Sequence, residues 1–205
     1  MKILFLHGLG SRPRNIKAAF QKQRGHKVIK PSLPDEEFME AVQVAQAAYE
    51  NSRPDVVIGA GRGGAVAMNI DSGFTPMVLI APCWKTWGAA QKVKRNTVIL
   101  HSENDSSVPI AQSRELLYNS NIPDSELVTV GQDARMIDDE ALETLWKTVE
   151  TETRILIDAP LHQVTVFLDR TAEDVPRILK RIRSVDGVAI AMLEVENLGD
   201  TMADN

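Results

Sequence analysis

Apolar residues in the first 150 positions fall into two kinds of pattern. Ile3 to Leu6, Val28-Ile29, Asp55 to Ile58, Met77 to Ile80, Thr97 to Leu100 and Leu127 to Val130 are short, almost unbroken runs rich in Val, Ile and Leu. Runs of this length without alternation describe strands buried on both faces. Between them, apolar positions recur at helical spacing: Ile16, Ala19 and Phe20, then Phe38, Val42, Ala45 and Tyr49, and further on Ala65 to Ile70, Ala111 to Tyr118 and Asp138 to Val149. Asp35 stands where an N-cap would precede the second of these helices, and Pro54 ends it. Strands alternating with helices predict an α/β fold, a mostly parallel sheet covered on both faces.

The pattern changes near residue 151. Gln163 to Leu168 alternates, Thr171 to Ser184 has a helical apolar face, and Val188 to Val195 is strand-like. These predict a small β-α-β appendage over residues 151–198, followed by an acidic tail over 199–205. A unit of roughly 50 residues is marginal alone. It is expected to dock on the first domain or pair with a second copy, which makes a homodimer the expected assembly.

Composition narrows the function classes. The formal charge of the 205 residues is −5, and the isoelectric point is about 5.4, so no basic footprint for nucleic acid or an anionic membrane is present. Cys83 is the sole cysteine, which excludes an intrachain disulfide and cysteine-rich zinc modules. The four histidines, His7, His26, His101 and His162, form no i, i+4 ligand pair, so no metal and no cofactor are expected. The apolar start is too short for a signal-peptide core, and the expected location is cytoplasmic.

Candidate chemistry gathers at the ends of the strand runs. His7-Gly8-Leu9-Gly10 follows the first, Gly59-Ala60-Gly61-Arg62-Gly63-Gly64 the third, His101-Ser102-Glu103-Asn104-Asp105 the fifth, and Gly131-Gln132-Asp133-Ala134-Arg135-Met136 the last. Gly59, Gly61 and Gly64 also spell a dinucleotide fingerprint. That reading requires an acidic residue at the end of the next strand, where Ala81-Pro82-Cys83 stands instead.

Taken together and in order, the four segments resemble a small α/β-hydrolase lacking the first two antiparallel strands of larger members. The resemblance covers residues 1 to about 150. It implies that Gly59 to Gly63 is a G-x-S-x-G nucleophile elbow with Gly61 at the serine position, that Asp105 is the triad acid, and that Ala134 occupies the place of the histidine. It also implies that the backbone N–H groups of Leu9 and Arg62 form the oxyanion hole, and that Trp84 and Trp87, in the segment where this family often places a lid, line an acyl pocket, with core or cap packing as the equal alternative. The ancestral activity implied is hydrolysis of a small ester or other acyl bond. Glycine supplies no attacking oxygen and alanine no base, so the chain is expected to hold a small acyl ligand with little or no turnover. The intact flanks of both positions favour a recent or deliberate replacement of two side chains, with a natural non-catalytic binding or scaffold protein as the alternative.

Several residues carry plainer readings. Asp105 also suits a turn before Val108-Pro109. His7 is expected to brace the first loop, and His101 to be structural although it is the nearest substitute base. The Arg62 side chain is expected to face solvent at a helix start, with a substrate carboxylate contact as the minority reading. Cys83 is expected to be a buried structural thiol.

Overall fold

In the computed structural model, described here for residues 1–10 and 15–158, six strands form one wholly parallel sheet in the order β2-β1-β3-β4-β5-β6. The strands are β1 (Lys2–Leu6), β2 (Lys27–Ile29), β3 (Val56–Ala60), β4 (Met77–Ile80), β5 (Thr97–His101) and β6 (Leu127–Thr129). The helices between and after them are α1 (Ile16–Gln23), α2 (Phe38–Ser52), α3 (Arg62–Asn69), α4 (Ile110–Ser120) and α5 (Asp139–Asp158).

The pleat divides each strand between two cores. Ile3, Phe5, Val56, Ile58, Val78, Ile80, Val98 and Leu100 pack beneath Ala18 of α1 and Ala141, Leu145 and Val149 of α5. Leu4, Leu6, Val57, Leu79 and Ile99 pack on the other face against Ala41, Val42 and Ala45 of α2, Val66 and Ala67 of α3, and Leu116 and Leu117 of α4. The strands therefore have no polar face. This explains why their sequences read as continuous apolar runs.

Three boundaries differ from expectation. The N-cap of α2 is Glu37, without a side-chain capping bond. Asp35 Oδ1 instead accepts from the Gly10 N–H at 3.3 Å, so this carboxylate ties the loop after β1 to the loop after β2. Helix α3 begins at Arg62, three residues before the expected Ala65, because β3 turns into it through Gly61 alone. Helix α5 continues beyond Val149 to Asp158. Residues 151–158, expected to open the β-α-β appendage, are thus the end of α5; the rest of the appendage, its proposed role in a homodimer, His162 and the tail lie outside the described residues.

The strand order fixes where a site can form. The neighbours of β1 are β2 on one side and β3 on the other, so the connections leave β1 and β3 in opposite directions. In parallel sheets, ligands occupy the crevice outside the carboxyl ends of strands at such a switch point. The loops holding Leu9 and Gly61 flank that crevice.

Candidate active site

The turn from β3 into α3 is built by glycines under different constraints. A Cβ on Gly63 would stand 2.2 Å from the Leu6 carbonyl oxygen and 2.5 Å from that of His7. One on Gly59 would stand 2.7 Å from the Gly63 carbonyl oxygen, and one on Gly64 2.9 Å from Cβ of Pro82. These three glycines allow α3 to lie directly against β1 and the loop after β4. Gly61 is unlike them. Its φ is 54° and its ψ −118°, a conformation that non-glycine residues adopt only under strain. The nearest atom to a Cβ there is Cys83 Sγ at 3.8 Å. The backbone is that of a strained elbow, and its side-chain space is open.

The turn is held rigidly. Gly61 N–H donates to the Ile80 carbonyl at 2.9 Å, and its own carbonyl accepts from Cys83 N–H and Gly64 N–H, each at 3.0 Å. The backbone N–H groups of Arg62 and Leu9 have no acceptor among the described residues. Free N–H groups at a helix start carry partial positive charge and suit an oxyanion. His7 fixes the loop that carries Leu9: its Nδ1 lies 2.9 Å from the Gly8 carbonyl, and its Nε2 accepts from Leu33 N–H at 3.3 Å. That is the bracing role expected of it.

Asp105 takes the turn role considered for it. Its Oδ1 accepts from the Ser107 and Val108 N–H groups, both at 2.8 Å, which is an aspartate turn. Its Oδ2 lies 3.5 Å from His101 Nε2. His101 is fully buried, with Nδ1 2.7 Å from Ser113 Oγ and Nε2 2.9 Å from the Val108 carbonyl. Burial pushes its pKa down against the opposing effects of the Val108 hydrogen bond and Asp105. A neutral imidazole with both nitrogens engaged has no lone pair for a substrate, so His101 is structural and not a substitute base.

The loop after β6 stands beside the acid loop. Val130 N–H donates to the His101 carbonyl at 3.0 Å, and Ser102 Oγ donates to the Gly131 carbonyl at 2.7 Å. Asp133 shapes the turn over Ala134 by accepting from the N–H groups of Arg135 at 2.8 Å and Met136 at 3.3 Å. Met136, at φ 48°, anchors the far end in the core. Lys17 of α1 donates to the Arg135 carbonyl. Burial lowers its pKa to about 8, with Asp133 opposing. Nothing near Lys17 in the sequence points to this contact, because its partner lies 118 residues away.

Two expectations are corrected. Trp84 does not line a pocket: it is a core residue packed with Leu79, Leu116 and Leu117, and its indole N–H donates to the Gln112 carbonyl at 3.1 Å. The indole N–H needed a buried acceptor, and the first turn of α4 provides it. The Arg62 side chain does not face solvent: the residue is 2% exposed, below the rings of Phe38 and Trp87. Trp87 is half-buried and stacks on Phe38 at 6.0 Å, which places it beside the site. Cys83, expected to be buried, is half-buried beside the elbow. Burial, reinforced by Asp105, raises its pKa, so the thiol stays protonated and is not a competing nucleophile.

Among the described residues no helix is long and apolar enough to cross a membrane. No cluster of three or more His, Cys, Asp or Glu side chains suited to a metal ion occurs among them either. No protein-family model matches the chain, and no curated protein matches it. Solved structures do. Alpha/beta hydrolase domain-containing protein 10 from mouse superposes with a TM-score of 0.59 at 15% identity, over 76% of this chain and 90% of that one. A protein of Xanthomonas campestris pv. campestris, assigned to the hydrolases of the alpha/beta superfamily, gives 0.59 at 13% identity, over 75% and 96%. SOBER1 of Arabidopsis thaliana gives 0.53 at 15% identity, over 74% and 98%. With the six-stranded parallel sheet and the glycine elbow after β3, these likenesses establish that the chain has the α/β-hydrolase fold.

Proposed function

We propose that the chain is an acyl-hydrolase scaffold whose nucleophile and general-base positions are Gly61 and Ala134, so that it binds a small acyl ligand and does not turn it over. The observation that carries this reading is the backbone of Gly61. A glycine needed only for packing would be crowded, as Gly59, Gly63 and Gly64 are. Gly61 has room for a side chain and still holds the strained φ and ψ of a nucleophile-bearing turn.

In this reading a hydroxyl on residue 61 would attack the acyl carbon, and an imidazole at 134 would take its proton. Asp105 would orient that imidazole, and the N–H groups of Leu9 and Arg62 would receive the oxyanion. With glycine and alanine in place, no acyl-enzyme forms at residue 61. An oxyanion hole and binding alone still leave roughly 10³–10⁴-fold acceleration over water in enzymes stripped of their triad, so faint turnover is compatible with it.

The test is fluorophosphonate labelling of the full chain and of the double variant Gly61→Ser, Ala134→His. Labelling of the variant alone supports a hydrolase site lacking its two reacting groups. Absence of labelling in a folded variant, together with no burst on an activated ester, overturns the hydrolase reading. The site would then be better understood as that of a non-catalytic binding or scaffold protein.

A further inference from the structure

Arg62 places a cation where the protein supplies no anion. Its Nε and Nη2 are buried with no hydrogen-bond partner among the described residues, and no carboxylate among them lies within 4.0 Å of it. Its Cζ lies 5.7 Å from the Phe38 ring centroid and 5.0 Å from that of Trp87. Aromatic faces attract the charge but give its N–H groups no acceptor. A buried guanidinium in that state is strongly unfavourable, and a space needing only to be filled would be filled better by an apolar side chain.

The two unpartnered nitrogens define a geometry. Nε–H and the adjacent Nη2–H point the same way along one edge of the guanidinium plane, the edge that receives both oxygens of a carboxylate. Arg135 shows the same edge on a carboxylate: its Nε and Nη2 both donate to Asp133 Oδ2, at 2.9 and 2.8 Å. Arg62 directly follows Gly61 and opens α3. One residue therefore offers a backbone N–H to an acyl oxygen and a buried fork to a second group on the same ligand.

We propose that the Arg62 side chain is the receptor for a ligand carboxylate, so that the site takes small acyl compounds bearing a free carboxylate, such as half-esters of dicarboxylic acids. The acyl part rests on the reading of Gly61 given above, whereas the carboxylate part stands on Arg62 itself. A single guanidinium matches one negative charge, which favours a carboxylate over a phosphate dianion. Trp87, half-buried on the guanidinium, belongs to the stretch between β4 and β5 that holds no helix or strand. A ligand reaching the fork changes the surroundings of its indole.

The test uses the full chain with two probes, monomethyl succinate and the uncharged dimethyl succinate. Binding is followed by calorimetric titration and tryptophan fluorescence in the wild type, Arg62→Met and Arg62→Lys. The half-ester is expected to bind the wild type at least about tenfold more tightly than the diester. Arg62→Met is expected to lose that preference while melting no lower than the wild type, because it removes an unpaired buried charge. Arg62→Lys, which keeps the charge but not the fork, is expected to fall between. Equal binding of the two probes to the wild type, or no binding of the half-ester at about 10 mM, overturns the proposal. So does a preference that survives in Arg62→Met. The wild-type comparison stands even if Arg62→Met does not fold. A labelled double variant with no carboxylate preference sinks this inference alone. A carboxylate preference without labelling sinks the hydrolase reading alone.

Discussion

Replacing Gly61 by serine restores a hydroxyl and at the same time destabilises the fold, and the size of that loss follows from the elbow. There is no steric part, since the nearest atom to a new Cβ is Cys83 Sγ at 3.8 Å. The backbone part remains, because a φ of 54° with ψ −118° costs a residue with a Cβ about 1–3 kcal/mol. Lower entropy of the unfolded chain returns about 0.4–1 kcal/mol, so the middle of the two ranges leaves a loss of about 1–2 kcal/mol. For a domain of this size each kcal/mol moves Tm by roughly 2–4 °C, so Gly61→Ser is expected to melt about 2–8 °C lower. Gly63→Ala provides the contrast. Its methyl group would meet two backbone carbonyls, 2.2 Å from Leu6 and 2.5 Å from His7, and only retreat of α3 from β1 relieves that. The loss is expected to exceed about 3 kcal/mol, a large share of the 5–15 kcal/mol typical of a domain. Urea denaturation followed by circular dichroism, with calorimetry, measures both. A Gly61→Ser protein as stable as the wild type would refute the strained-elbow argument, and one as damaged as Gly63→Ala would refute the open side-chain space.

Other consequences can be measured separately. His101 and His26 both have pKa values lowered by burial, so each favours the fold in its neutral form. The contribution of these two histidines to stability is expected to be flat above about pH 6.5 and to fall below it as the unfolded chain takes up protons. Equal urea midpoints at pH 7.5 and pH 5.5 would contradict this. Trp84→Ala is expected to lose about 3–5 kcal/mol because the indole is in the core, whereas Trp87→Ala, at a half-buried position, is expected to lose about 1 kcal/mol or less; thermal melts of the pair decide it. Cys83, with its pKa raised, is expected to resist iodoacetamide at pH 7.5 until the chain is unfolded. Fast alkylation of the native protein would show an accessible thiolate.

How far the sequence could be read depended on the range of the interactions. The strands were legible because burial on both faces leaves unbroken apolar runs, and β1, β4 and β5 match their expected runs to within a residue at either end. The Asp105 turn was legible because an aspartate just before Val108-Pro109 accepts from the N–H groups two and three residues on. Arg62 was not. Its burial depends on Phe38 at the start of α2 and Trp87 after β4, and nothing adjacent to Arg62 announces either ring. Trp84 failed for the same reason, since its acceptor is the carbonyl of Gln112. Asp35 was assigned to the wrong partner: a cap and a loop clamp use the same short carboxylate, and only the fold brings Gly10 to it.

The constraints at the elbow also explain how a chain could lose both reacting groups and keep its fold. Gly59, Gly63 and Gly64 are fixed by contacts closer than 3 Å that hold α3 on the sheet; substitution there would be a folding defect. Position 61 is the opposite case. A side chain there strains the backbone and contributes nothing to packing, so glycine relaxes the elbow. Alanine at 134 sits in a turn held by the Asp133 carboxylate and the Met136 anchor, which do not need a histidine between them. The two replacements that would abolish turnover are thus among the least costly to stability, and one of them is favourable. Arg62 does not follow this rule, because an unpartnered buried guanidinium is itself unfavourable. Under the proposed function, an unpartnered guanidinium beside a relaxed elbow is accounted for by binding and not by turnover.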